Sequence, residues 1–197
     1  MLPVFTKVLE QLALSPVKEK LIEMYGPNQF GFRPKYSTIH AHIKAYEHMT
    51  QFLDSNKVKA VLIISFDMKK AFDSLNHEQL MDTLAKGNLP SKFVRWIASF
   101  LQNRSQYVAI KQANSSIKPV TSGVPQGSII APFLFAAHMG SLTPFYPDSI
   151  MTKFADDIVI VTPVQSPLEA SHIANNEIAH VEFWCKTPAT DMAIENW

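Results

Sequence analysis

The feature that most constrains this chain is a pair of aspartates, Asp156-Asp157, set between two apolar runs of strand length. Ile150-Met151-Thr152-Lys153-Phe154 comes before the pair and Ile158-Val159-Ile160-Val161 after it. Such runs joined by a short acidic turn predict a β-hairpin that carries its carboxylates at the tip. A third aspartate, Asp67, ends the run Val61-Leu62-Ile63-Ile64-Ser65-Phe66. If that run is a strand beside the hairpin, three carboxylates converge on one edge of a sheet. Like charges so placed repel one another unless divalent cations neutralise them. Two Mg²⁺ ions held this way can clamp the attacking and leaving oxygens of phosphoryl transfer. An Asp-Asp pair met in isolation is more often only a turn, so the rest of the chain decides.

At 197 residues, 47% hydrophobic and 18% charged, the chain can bury a real core and is read as folded rather than disordered. Its one cysteine, Cys185, excludes an intramolecular disulfide and argues against a cysteine-rich zinc site, which fits a reducing, intracellular setting. His40, His42 and His77 lack metal-ligand spacing and are read as structural or surface residues. The longest apolar stretch, Ile129 to Met139, contains Pro132 and His138 and is too short to span a bilayer. No secretory or other targeting segment is visible, leaving nucleus or cytoplasm as the expected location. The net charge of +1 hides an asymmetry: residues 1–120 carry 16 Lys/Arg against 9 Asp/Glu, and residues 121–197 carry 2 against 8. A basic part that holds a phosphate backbone and an acidic part that holds metal is one reading, and scattered solvated charge is the other.

Apolar spacing predicts one kinked helix or two short ones over Val4 to Glu23, interrupted near Ser15-Pro16. Ser37 is placed to cap a helix running to about Leu53, closed by Asp54-Ser55-Asn56. Lys59 to Phe66 reads as a strand, and its nearly unbroken apolar character predicts a central one. Helices follow near His77–Lys86 and Ser91–Leu101. A hairpin is expected around Ala113-Asn114, then a loop from Thr121 to Ser128, a helix near Ala131–Ser141, the aspartate hairpin, and an amphipathic helix over Pro167–Lys186. Helices interspersed with hairpin-joined strands favour an α+β fold with an antiparallel sheet.

Four segments then read together: Phe30-Gly31-Phe32-Arg33-Pro34, Phe66-Asp67-Met68-Lys69-Lys70-Ala71-Phe72-Asp73, Gly123-Val124-Pro125-Gln126-Gly127-Ser128 and Phe154-Ala155-Asp156-Asp157. In this order and spacing they resemble the reverse transcriptase of non-LTR (LINE-type) retrotransposons, with further agreement at Tyr36-Ser37-Thr38 and Asn103-Arg104-Ser105-Gln106-Tyr107-Val108. The resemblance implies a right-hand polymerase palm, an antiparallel sheet with helices on one face, plus partial fingers. Residues 1–58 would be fingers and 59–197 palm, ending before the primer grip and thumb. It also implies that Asp67, Asp156 and Asp157 are the catalytic, metal-binding carboxylates for Mg²⁺ or Mn²⁺. Phe72 would lie under the incoming sugar and exclude a ribose 2′-OH, while Gln126 and Gly127 would contact the incoming nucleotide or its template base. Arg33 and Lys35 look like phosphate contacts on the fingers side, Lys35 equally well a solvated charge, and Arg104 is a further nucleic-acid candidate. Asp73 is read as a cap for the following turn rather than a metal ligand.

The implied partners are an RNA template, a DNA primer and deoxynucleoside triphosphates, with no membrane. The sequence departs from the family's pattern in three places. The Arg-Pro-Ile-Ser segment expected just before Leu2 is absent, the chain stops at Ile194-Glu195-Asn196-Trp197, and Phe154 replaces the usual tyrosine at the hairpin. These departures keep a catalytically silent retroelement remnant in view. A palm of an RNA-dependent RNA polymerase or of a group II intron maturase is a further alternative.

Overall fold

The computed structural model describes residues 3–55 and 58–186. Asn56 of the expected helix-closing turn, and residues 187–197 of the expected palm, therefore lie outside the described residues. In chain order the elements begin with α1 (Val4–Leu14), α2 (Lys18–Glu23), α3 (Thr38–Asp54), β1 (Ala60–Phe66), α4 (Ala71–Ser74), α5 (His77–Lys86) and α6 (Ser91–Leu101). Next come β2 (Ser105–Gln106), β3 (Ala109–Ile110), β4 (Ala113–Asn114), β5 (Lys118–Pro119) and α7 (Ala131–Gly140). The last three are β6 (Ile150–Phe154), β7 (Asp157–Val164) and α8 (Pro167–Lys186). The N-terminal apolar segment is two helices rather than one kinked helix, because Pro16 has no N–H to continue the ladder and its ring crowds the preceding turn. These elements belong to two compact units: residues 3–21 with 70–135, and residues 22–69 with 136–186.

The first unit is mainly helical. In α6, Phe93, Val94, Ile97 and Leu101 fall on one stripe and are all buried, as are Leu80, Met81 and Leu84 of α5. Asn76 starts α5 by accepting from the N–H groups of Glu78 at 2.8 Å and Gln79 at 3.1 Å. The small hairpin region differs in detail from expectation. Ser105 and Gln106 pair with Pro119 and Lys118, while Ala109 and Ile110 pair with Asn114 and Ala113. The reversal therefore falls at Lys111-Gln112, and Ala113-Asn114 are strand residues. Lys111 takes φ of 53° there, a conformation that its side chain does not advertise in the sequence.

The second unit is built on a sheet of order β1-β7-β6, antiparallel throughout. The apolar run of β1 predicts a central strand, and the structure corrects this: among the described strands β1 is at an edge and β7 is central. An apolar run shows that a strand can be covered on both faces, not that it is. Ile63 of β1 is 50% exposed, whereas Ile158, Ile160 and Val161 of β7 are fully buried.

Successive strand residues face opposite sides of the sheet, so Thr152 and Lys153 report on different faces. On the Lys153 face, the lysine Nζ donates to the carbonyls of Met139 at 2.5 Å and Leu142 at 2.7 Å, at the C-terminal end of α7. A cation there complements the helix dipole. Helices meet this face as expected, and α3 in addition lies against the other. There Ala41, Tyr46 and Met49 of α3, with Thr152, Phe154 and Val159 of the sheet, line a cavity of about 530 Å³. Ser37 starts α3 by donating its N–H to His40 Nδ1 at 3.1 Å, so His40 is structural.

Lys153 carries a prediction. Burial pushes its ammonium down to about 8 from 10.5. Below that value the folded and unfolded chains are both protonated, and the cost of burying the charge is fully borne. Above it the folded chain gives up its proton while the unfolded chain keeps one up to its ordinary value. Stability should therefore rise with pH in that window, by on the order of 2 kcal/mol by pH 10. Urea denaturation at several pH values should show the rise in the wild type and a flatter profile in Lys153→Met.

Candidate active site

Asp156 lies in the two-residue turn Ala155-Asp156 and Asp157 opens β7, where it pairs with Phe154. Ala155 supplies the positive φ, 57°, that two-residue hairpin turns take at their first central position. Asp67 follows Phe66, and Phe66 pairs with Ile158 across the β1–β7 ladder. The residue after Phe66 and the residue before Ile158 thus sit at the same end of adjacent strands. The backbone brings Asp67, Asp156 and Asp157 to one edge of the sheet, as the run lengths in the sequence predict. Asp67 and Asp157 are exposed and Asp156 is half-buried.

Among the described residues, no three His, Cys, Asp or Glu side chains stand close enough together to form a ready-made metal cluster. Three like charges at a sheet edge favour separated rotamers, and exposed side chains turn over within nanoseconds. The oxygen-only, solvent-facing donor set is the kind that Mg²⁺ or Mn²⁺ takes. In kind the three aspartates suit such an ion, and the sheet carries them to one edge without bringing their side chains together.

In the same unit Arg33 is engaged by the protein itself. Its Nε donates to the Gln29 carbonyl at 3.1 Å and Nη2 to the Gly26 carbonyl at 2.6 Å, and its guanidinium lies over the rings of Tyr25 and Tyr36. Lys35 is exposed, with φ of 68°.

The first unit holds the other candidates. Phe72 stacks on Phe135, with centroids 4.6 Å apart and 18° between the rings. The loop from Thr121 to Ser128 is laced to the backbone of α4: Val124 N–H donates to the Phe72 carbonyl at 2.9 Å, and Ser122 Oγ to the Asp73 carbonyl at 2.9 Å. Gly123, at φ of 77°, is where this lacing is tightest, since a Cβ there would come within 2.7 Å of both the Phe72 carbonyl oxygen and Asp73 Cα. His77 Nε2 and Arg104 Nη1 both donate to the Gly123 carbonyl, at 2.8 and 3.3 Å. Burial lowers the pKa of the Arg104 guanidinium.

Gln126 Nε2 donates to both carboxylate oxygens of Asp73, at 3.1 and 3.3 Å. The expected capping role of Asp73 is thereby corrected: Asn76 caps the next helix, and the Asp73 carboxylate orients Gln126. Gly127 takes φ of 81°, and a Cβ there would meet no atom within 4 Å, so the backbone at this point faces open space.

One residue of this unit escapes sequence reasoning. Glu10 of α1 is fully buried, and its Oε2 accepts from Ser128 Oγ at 2.6 Å, Ile129 N–H at 2.6 Å and Ile130 N–H at 3.2 Å. These donors belong to the segment between Gly127 and α7, where N–H groups lack helical partners. Glu10 and Ser128 lie 118 positions apart, with no local signal to link them.

An antiparallel sheet with carboxylates at the end of two adjacent strands is the arrangement of a polymerase palm. Among solved structures, the chain is similar to apo telomerase from Candida tropicalis truncated from its C-terminal domain, with TM-score 0.59 and 18% identity over 88% of this chain and 36% of that one. It is also similar to telomerase from Candida albicans in complex with a fragment of telomeric RNA, with TM-score 0.58 and 16% identity over 91% of this chain and 32% of that one. These likenesses give the fold, that of a right-hand polymerase. The family described as Reverse transcriptase (RNA-dependent DNA polymerase) matches residues 1–187, and the chain belongs to it.

Relatives of known description are similar throughout. The RNA-directed DNA polymerase from the Drosophila melanogaster mobile element jockey is 29% identical over 207 aligned positions, covering all of this chain and 21% of the relative. The putative 115 kDa protein of the Drosophila type-1 retrotransposable element R1DM is 29% identical, covering 93% of this chain and 17% of that protein. The chain thus spans about a fifth of the length of such relatives. No helix among the described residues is long and apolar enough to cross a membrane.

Proposed function

We propose that this chain forms the palm, with part of the fingers, of an RNA-directed DNA polymerase of a non-LTR retrotransposon, with fingers over residues 1–58 and palm from 59 onward. It extends a DNA primer on an RNA template with deoxynucleoside triphosphates. The observation that carries the reading is the sheet register, in which Phe66 pairs with Ile158 and Phe154 with Asp157, so that Asp67, Asp156 and Asp157 are carried to one end of the sheet. Asp67, Asp156 and Asp157 would hold two Mg²⁺ ions. When bound, these lower the pKa of the attacking 3′-hydroxyl and offset the charge that develops on the phosphoryl oxygens.

The remaining work falls to side chains that position. The Phe72 ring, braced by Phe135, would exclude a ribose 2′-OH from the incoming nucleotide. Gln126, oriented by Asp73, and the open backbone at Gly127 hold the nascent pair. Lys35 offers its charge to the nucleic-acid backbone. Arg33 and Arg104 add charge there while each braces a backbone carbonyl, so their loss should cost stability as well as affinity.

The test replaces the matching fifth of the jockey polymerase with this chain and follows addition of deoxynucleotides to a DNA primer on RNA. Template-directed addition in Mg²⁺ is expected, and a chimera that folds and binds the duplex but adds nothing would refute the proposal. In the same protein Phe72→Ala should raise ribonucleotide relative to deoxynucleotide addition by roughly tenfold or more, since a forced steric overlap costs about 1–3 kcal/mol. An unchanged ratio with lower total activity would reduce Phe72 to a packing residue.

A further inference from the structure

The geometry points to Gln29 as the positioning residue that holds the turn carrying Asp156. Gln29 is fully buried, and its amide grips both backbone groups of one distant residue. Its Oε1 accepts from the Ala155 N–H at 3.0 Å and its Nε2 donates to the Ala155 carbonyl at 3.1 Å, across 126 positions of sequence. The same Oε1 accepts from the Gly31 N–H at 2.8 Å. With two N–H groups on the oxygen side and one carbonyl on the nitrogen side, the amide has only one workable orientation.

The gripped residue is the one whose backbone needs holding. Ala155 has φ of 57°, a left-handed conformation that a residue with a Cβ adopts at a cost. A two-residue turn offers few internal hydrogen bonds to enforce it, and the direction of the Asp156 side chain follows from the peptide planes on either side of Ala155. A second, independent observation lies beside it. A Cβ on Gly31 would fall 2.1 Å from Ala155 N and 2.8 Å from Ala155 Cα, so only glycine lets this segment approach the turn. The approach is fixed by a parallel bridge along β6, in which Phe30 N–H donates to the Lys153 carbonyl and Lys153 N–H to the Asn28 carbonyl, both at 2.8 Å. Residues 28–31 thus act as a brace for the aspartate turn, with Gln29 as its contact point. The inference rests on the reading of Asp156 and Asp157 as metal-binding carboxylates.

The test uses Gln29→Glu in the whole 197-residue chain. The substitution keeps the shape and the acceptor but turns a carboxylate oxygen toward the Ala155 carbonyl in place of a donor. Gln29→Asn, one methylene shorter, serves if Gln29→Glu does not fold, and Val181→Ala, which loses packing in α8, is the control for general destabilisation. Backbone amide exchange at residues 155–157 is read against that of Ile160, and Mn²⁺ affinity is read by paramagnetic resonance.

Loss of the grip should speed exchange at the turn by about tenfold relative to Ile160, the scale of one or two lost hydrogen bonds. It should also weaken Mn²⁺ binding by about tenfold, whereas Val181→Ala lowers thermal stability and moves neither ratio. Exchange at the turn rising no more than at Ile160, or Val181→Ala weakening Mn²⁺ equally, would overturn the assignment. Equal Mn²⁺ binding by wild type and Asp156→Asn would instead sink the metal reading beneath it, and the metal-free exchange ratio keeps the two failures apart.

Discussion

Asp156→Asn should leave the protein folded and lower RNA-templated nucleotide addition by about a thousandfold or more. Asparagine is as much at home in a turn as aspartate, and Asp156 is only half-buried, so the fold has little reason to notice the change. The chemistry does. Removing one preorganised group that meets developing charge costs on the order of 100- to 1,000-fold, and a neutral amide also weakens the hold on the cations themselves. Together these amount to about 4 kcal/mol of transition-state stabilisation. Single-turnover addition by the jockey chimera, with circular dichroism to follow folding, separates a chemical loss from a structural one. Asp73→Asn, which only loosens the grip on Gln126, should cost far less.

Glu10→Ala should produce the largest loss of stability. One carboxylate oxygen satisfies a hydroxyl and two backbone N–H groups, and the Ser128 hydroxyl and Ile130 N–H among them are buried. Leaving buried donors unpaired costs about 1–3 kcal/mol each before relaxation, so a net loss of roughly 3–5 kcal/mol is expected, similar to breaking a buried ionic contact. Against a typical total of about 5–15 kcal/mol this is a large share, and the thermal midpoint should fall by on the order of 10 °C. The other carboxylate oxygen, Oε1, is buried without a hydrogen-bond partner. Glu10→Gln keeps an acceptor and should therefore lose much less. Denaturant melts of the three proteins would rank them, and equal stability of Glu10→Ala and wild type would contradict the reading.

What the sequence disclosed and what it hid follow from how far each signal reaches. The helices α5, α6 and α8 fall where periodicity and turn residues put them, because helical spacing and a cap such as Asn76 are written within a few positions. The bracketing of Asp156-Asp157 by two strands was legible for the same reason. Which strand is central was not, since composition reports how apolar β1 is but not what covers it, and Ile63 turns out half exposed. The reversal at Lys111-Gln112 was missed because a lysine holds the positive φ, with no glycine or asparagine to mark it. Asp73 looked like a cap because acidic residues before helices usually are, and its partner, Gln126, is 53 positions away. Gln29 and Glu10 are invisible in one dimension for the same reason, each meeting its partners more than a hundred positions along the chain.

The most direct measurement is a divalent-cation titration of the folded chain, reading thermal stability against Mg²⁺ and Mn²⁺ concentration for wild type, Asp67→Asn, Asp156→Asn and Asp157→Asn. A ligand that binds only the folded form adds about 2.7 kcal/mol at a hundredfold excess over its dissociation constant. The wild-type midpoint should therefore climb with metal, and each substitution should flatten the climb, because all three carboxylates belong to one sheet edge. A wild-type curve that superimposes on all three variants at every metal concentration would contradict the assignment of this edge as the catalytic centre.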